Sequence, residues 1–168
     1  MRRRFSGLPA LAILAASCAR VGPVSRPSPD GTARIYTVGG LSFEIPATWR
    51  ADGDPRRVKL ASPGGDARLE VKASPAAGSA AECLAGAEEA LERGAANLSE
   101  VRRHPSKFAG RKAIAQEAEQ GGWHGWAWAT CDRGEQYRVF LSGRAPVSRD
   151  TIDVQRRLVA TARLGETP

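Results

Sequence analysis

The sequence predicts a small α+β domain behind an export signal. Three observations carry that expectation. β-rich runs recur around Gly-Gly pairs, two amphipathic stretches open on serine caps, and an N-terminal apolar run ends on a cysteine. Of the 168 residues, about 150 remain behind the signal, the size of one domain with a real hydrophobic core.

Residues 1–17 read as a signal peptide. Arg2, Arg3 and Arg4 give a charged start, Leu8 to Ala16 a short apolar run, and Ala15, Ala16 and Ser17 the small residues before Cys18. The apolar run falls well short of the ~20 residues that span a bilayer. The stretch Leu14-Ala15-Ala16-Ser17-Cys18 resembles the lipobox of bacterial lipoproteins, although Ala15 stands where that motif usually has leucine. Arg2-Arg3-Arg4-Phe5 loosely resembles a twin-arginine signal. The lipobox resemblance implies acylation of Cys18, attachment to a membrane through that lipid, and a place in the bacterial envelope facing the periplasm. Ala19 is not the aspartate that retains some lipoproteins in the inner membrane, which points to the outer one. Residues 18–34 contain Pro23, Pro27 and Pro29 without hydrophobic periodicity and read as a tether. Residues 35–168 read as the single domain.

The first hairpin joins Ile35-Tyr36-Thr37-Val38 to Leu41-Ser42-Phe43-Glu44-Ile45 through Gly39-Gly40, a primed turn expected to need positive φ at both glycines. Leu41, Phe43 and Ile45 alternate with polar residues, so one face is buried. Val58 to Ser62 and Ala67 to Lys72 flank a second turn, Pro63-Gly64-Gly65-Asp66. Ser79-Ala80-Ala81-Glu82 has the form of a capping box. It opens a helix to about Leu98, with Cys83, Leu84, Ala87, Ala90 and Leu91 on one stripe. Strands follow at Glu100 to Arg103, Ala113 to Glu119, Trp123 to Cys131 and Tyr137 to Leu141, with Gly121-Gly122 between the middle pair. Ser148 caps a final helix whose stripe is Thr151, Val154, Leu158, Val159 and Ala162, and Gly165 stops it. His104-Pro105 reads as a solvated loop.

Charge and cysteines narrow the function. The formal charge is +7, but three basic side chains lie in the signal, leaving 22 basic and 18 acidic side chains, a net of +4. That balance and an exported address argue against nucleic acid as a partner. With Cys18 assigned to lipid, Cys83 and Cys131 form an even pair, which in an oxidising compartment reads as a disulfide. Only His104 and His124 could join them in a zinc site, so neither a metal nor a cofactor is expected. The motifs of serine hydrolases, zinc proteases and nucleotide-binding loops are absent from the sequence, and no catalytic residue is assigned.

The order of hairpin, strands, helix, strand meander and closing helix resembles the PsbP-like fold. So does Gly40-Leu41-Ser42-Phe43-Glu44-Ile45-Pro46-Ala47-Thr48-Trp49, a strand ending in proline with an aromatic soon after, and the closing run Leu158 to Leu164 is similar to the last helix of bacterial members. The resemblance spans Ile35 to Leu164. It implies a twisted antiparallel sheet with helices on both faces, and it brings no catalytic residue set. Bacterial members of that family include many lipoproteins without an assigned role, and fold likeness does not assign one.

The function expected is therefore a non-catalytic, lipid-anchored binding or adaptor module with an envelope protein as partner. The alternatives are a carbohydrate or peptidoglycan binder that uses aromatic side chains, and a hydrolase. In Trp123-His124-Gly125-Trp126-Ala127-Trp128, period-2 geometry puts His124, Trp126 and Trp128 on one face. The closing helix is expected to cover Trp126 and Trp128. Trp123 and His124, beside the turn, are expected to remain exposed as the binding candidates.

Overall fold

The computed structural model describes residues 22–165, so Cys18 and the signal lie outside the described residues. The elements are β1 Val24–Pro27, β2 Ala33–Val38, β3 Leu41–Pro46, β4 Arg50–Asp54, β5 Arg57–Ala61, β6 Ala67–Pro75, α1 Ala80–Gly94, β7 Ser99–Phe108, β8 Arg111–Gln120, β9 Trp123–Asp132, β10 Glu135–Arg144, α2 Arg149–Thr161 and β11 Arg163–Leu164. They form two antiparallel sheets where one was expected. The smaller has the order β1-β2-β3-β11 and the larger β4-β5-β6-β10-β9-β8-β7.

The second sheet exists because two short strands were hidden in irregular sequence. β1 lies in the segment expected to be tether and pairs with β2 from Val24↔Thr37 to Pro27↔Arg34. Its proline is tolerated because the strand is at an edge. The loop after it is tied by Asp30, whose carboxylate accepts from the Ser28 hydroxyl at 2.6 Å, the Thr32 hydroxyl at 2.8 Å and the Thr32 amide at 3.1 Å. These bonds, that from Ser28 foremost, hold the Asp30 carboxyl down at about 2. At the other end, α2 stops at Thr161, not at Gly165. The free edge of β3 captures the following residues as β11, with Arg163 opposite Ser42 and Leu164 opposite Leu41.

Alternation builds the core as the sequence required. Leu69 and Val71 of β6 and Val139 and Leu141 of β10 turn inward to meet Val38, Leu41, Phe43 and Ile45 of the small sheet, with Val154 and Leu158 of α2. Burial of each such side chain stabilises by ~1.5–3 kcal/mol. The Tyr137 hydroxyl, its pKa raised chiefly by burial, accepts from the Gly40 amide at 3.2 Å and so links the sheets. In the turn beside it only Gly39 of the pair takes positive φ, 58°, the pattern of a II′ rather than an I′ turn. A side chain at Gly39 would put its Cβ 2.8 Å from that of Ala73. The Gly121-Gly122 turn does have both φ values positive, 54° and 77°.

α1 starts at the expected capping box, with Ser79 and Glu82 bonded reciprocally, and ends at Gly94, earlier than the expected Leu98. It packs on β9, β8 and the start of β10. Cys83 and Cys131 join it to β9 by a disulfide with a Cα–Cα distance of 6.2 Å. α2, capped by Ser148, packs chiefly on β3. Its Val154, Leu158 and Ala162 share one core with Trp128, and Phe108 at the end of β7 stacks on Trp128, centroids 5.7 Å apart. Trp128 is buried and Trp126 packs against the core. His104-Pro105 lies within β7, not in a loop. β7 is the edge of its sheet, where a missing amide costs no pairing.

Candidate outer-face binding surface

The large sheet has an inner face, which forms the core, and an outer face. A helix is about 10 Å across and neighbouring strands are about 4.8 Å apart, so α1 alone covers two or three of the seven strands. The outer sides of β4, β5, β6 and much of β10 are left open beside it.

That open surface is aromatic at its centre. Phe140 is 49% exposed, and its ring seats over Gly125, where an added Cβ would lie 3.2 Å from the ring edge. Trp123 is half-buried, with the guanidinium of Arg68 5.1 Å and that of Arg144 5.8 Å from its ring centroid. Both distances are in the cation–π range. Two depressions of about 260 and 510 Å³ meet at Arg68, Phe140 and Ser142. Together they make a trough that runs from Trp123 at the foot of α1 toward Arg50 and Lys59.

Arg50, Lys59 and Arg68 line the trough together with Asp52, Glu70 and Glu119, and a row of cations lies beside it. The register sets Lys72 directly opposite Arg57 on one side and Arg138 on the other. Three like charges thus lie in one row across β5, β6 and β10. Glu70 neutralises Arg57 at 2.6 Å. Among the described residues, Lys59, Arg68, Lys72, Arg138 and Arg144 have no ion-pair partner. Directly opposed like charges destabilise a sheet, so this row costs the fold stability.

Trp123 and His124 are not brought together. The alternation that makes them neighbours in sequence sends them to opposite faces. His124 faces inward, its Nδ1 3.1 Å from Glu119 Oε1 and its ring 4.4 Å from that of Trp126. Trp123 alone belongs to the open surface. Phe140, Arg68 and Arg144 went unassigned in the sequence, although Phe140 falls in phase with Arg138 rather than with Val139 and Leu141, and an aromatic on the charged phase of a strand was a readable signal. Another depression, of about 570 Å³, lies between Trp49, Asp66 and the start of α2. Among the described residues there is no His, Cys, Asp or Glu grouping suited to a metal.

No protein-family model and no curated protein matches the sequence. Among solved structures, the chain is similar to cyanobacterial PsbP (CyanoP) from Synechocystis sp. PCC 6803, with a TM-score of 0.53, 12% identity, and coverage of 89% of this chain and 96% of that one. The chain has a PsbP-like fold. It is also similar to a Bacteroides thetaiotaomicron protein, with a TM-score of 0.54 and 13% identity over 76% of this chain, and it spans about half of that protein, 46%. LpqN of Mycobacterium tuberculosis, described as involved in cell envelope biogenesis, matches at a TM-score of 0.48 and 12% identity over 75% of this chain and 83% of that one. The PsbP-like fold accounts for the sheet and its two helices. The open surface is described by this chain's own side chains.

Proposed function

We propose that this chain is a non-catalytic docking module of the bacterial envelope, held to a membrane through acyl groups on Cys18, and that it captures an envelope protein on the outer face of its large sheet. In this reading the sheet carries helices on both faces. The inner face is sealed by the small sheet and α2, and the outer is only partly covered by α1. The observation that supports it most is the half-exposed Phe140 beside Trp123, with Arg68, Lys72, Arg138 and Arg144 on the same face outside the ion pairs of the described residues. A surface that is apolar at its centre and charged at its rim is the usual anatomy of a protein interface. Among the described residues no helix is long and apolar enough to cross a membrane, and the proposed attachment is the lipid.

Carbohydrate stacking is the weaker alternative. Trp128 is buried, and the guanidinium groups of Arg68 and Arg144 lie over the Trp123 ring face that a sugar would need. Crosslinking in intact cells followed by co-purification tests the docking reading. One protein should be recovered with the wild-type chain and lost with Phe140→Asp. Soluble peptidoglycan fragments that quench Trp123 fluorescence, with no protein captured, would overturn it. Fractionation tests the anchor: Cys18→Ala should move the chain from the membrane to the soluble envelope fraction, and an unchanged membrane fraction would refute lipidation.

A further inference from the structure

We infer that the cationic row beside the trough takes an acidic polypeptide segment, laid across β5, β6 and β10 with an apolar side chain against Phe140. The inference rests on the docking reading above and names the chemistry of the partner. Its basis is the row Arg57–Lys72–Arg138. Three cationic side chains stand on adjacent strands in direct register, about 4.8 Å apart per strand, and Glu70 answers only one of them. Arg68 and Arg144 add two more positive charges at the Trp123 end. A run of carboxylates laid over the row would relieve the repulsion and place a neighbouring side chain over the exposed Phe140.

The same geometry argues against a lipid surface as the anionic occupant. α1 stands on this face beside the trough, about one helix diameter, 10 Å, above the sheet. A flat bilayer resting on α1 would stay that far from the sheet surface where Lys72 and Arg138 are half-buried. A single chain can lie on the sheet beside α1, whereas a plane cannot.

The test uses the purified full chain and three probes: fluorescein-labelled poly-L-glutamate, phosphatidylglycerol vesicles, and neutral polyglutamine as control. The chain should bind polyglutamate at low salt and lose binding as salt rises. K72E/R138E should weaken it about tenfold or more. R149E/R156E removes the same charge from the exposed side of α2 and should change it less than about twofold. Circular dichroism and thermal melting establish that each variant folds. Equal loss in both double variants would reduce the effect to net charge and overturn the proposal, as would vesicle binding without polyglutamate binding, or no polyglutamate binding at low salt. If crosslinked wild-type chain captures a protein in cells and K72E/R138E captures it equally well, the acidic-segment inference fails while the docking reading stands.

Discussion

Replacing Cys83 and Cys131 together by alanine opens a loop of 48 residues. In the chain-entropy treatment, closing a loop of that length removes about 14 cal/mol/K from the unfolded chain, or about 4 kcal/mol at 25 °C. Both cysteines are 8% exposed, and alanine removes only the sulfur from each. The expected loss is therefore about 4 kcal/mol, which for a domain of this size lowers Tm by about 12 °C. Urea unfolding of the oxidised chain, the reduced chain and the double-alanine variant measures it. The reduced and variant chains should agree with each other. Their m-values should exceed that of the oxidised chain, because an unlinked unfolded chain exposes more surface. α1 depends on this bridge more than on its own packing, since only Cys83 and Ala87 within it are buried. Amide exchange should thus accelerate in Ala80–Gly94 before it does in the sheet. A loss below about 1 kcal/mol with an unchanged m-value would refute the view that the bridge acts by restricting the unfolded chain.

Three further outcomes follow from named features. Lys72→Glu turns the like-charged row into an alternating one and should raise stability by about 0.5–1 kcal/mol; urea titrations should show the gain shrinking in 1 M salt, where exposed charges are screened within about 3 Å. Arg133, exposed with φ 49° in the turn before β10, pays for a left-handed conformation, so Arg133→Asn should raise stability by about 0.5–1 kcal/mol in thermal melts. The Asp30 carboxyl lies at about 2 in the folded chain against an ordinary 3.8. Its contribution is complete above pH 4 and is lost as pH falls toward 2, and Asp30→Asn should flatten the acid limb of the stability curve over that interval.

What could be read from the sequence was local. Leu69 and Val71 against their charged neighbours, Ser79 with Glu82, and Cys83 facing inward from its helix each follow from spacing within a few residues, and each is in place. Non-local choices were not readable. β1 and β11 have four and two residues and no alternation to announce them; they are strands because β2 and β3 had free edges. Pro105 pointed to a loop until β7 proved to be an edge strand. The outer-face row needed the register of three strands, since Arg57, Lys72 and Arg138 are unrelated in sequence and become neighbours only when β5, β6 and β10 align. Trp123 and His124 show the opposite case, for their separation followed from period-2 alternation alone.

The capture of Val24–Pro27 by β2 sets how far the domain can travel. Were residues 18–34 all tether, an anchor at Cys18 would allow an excursion of up to about 55 Å. With β1 fixed, only six links separate Cys18 from Val24, and the reach falls to about 20 Å at full extension. That is less than the width of the large sheet. On the lipidated reading, the small sheet is moored close to the lipid surface, and the domain can pivot about that edge but not roam. Partners that rise only a short way above the bilayer are then within range, while distant ones are not.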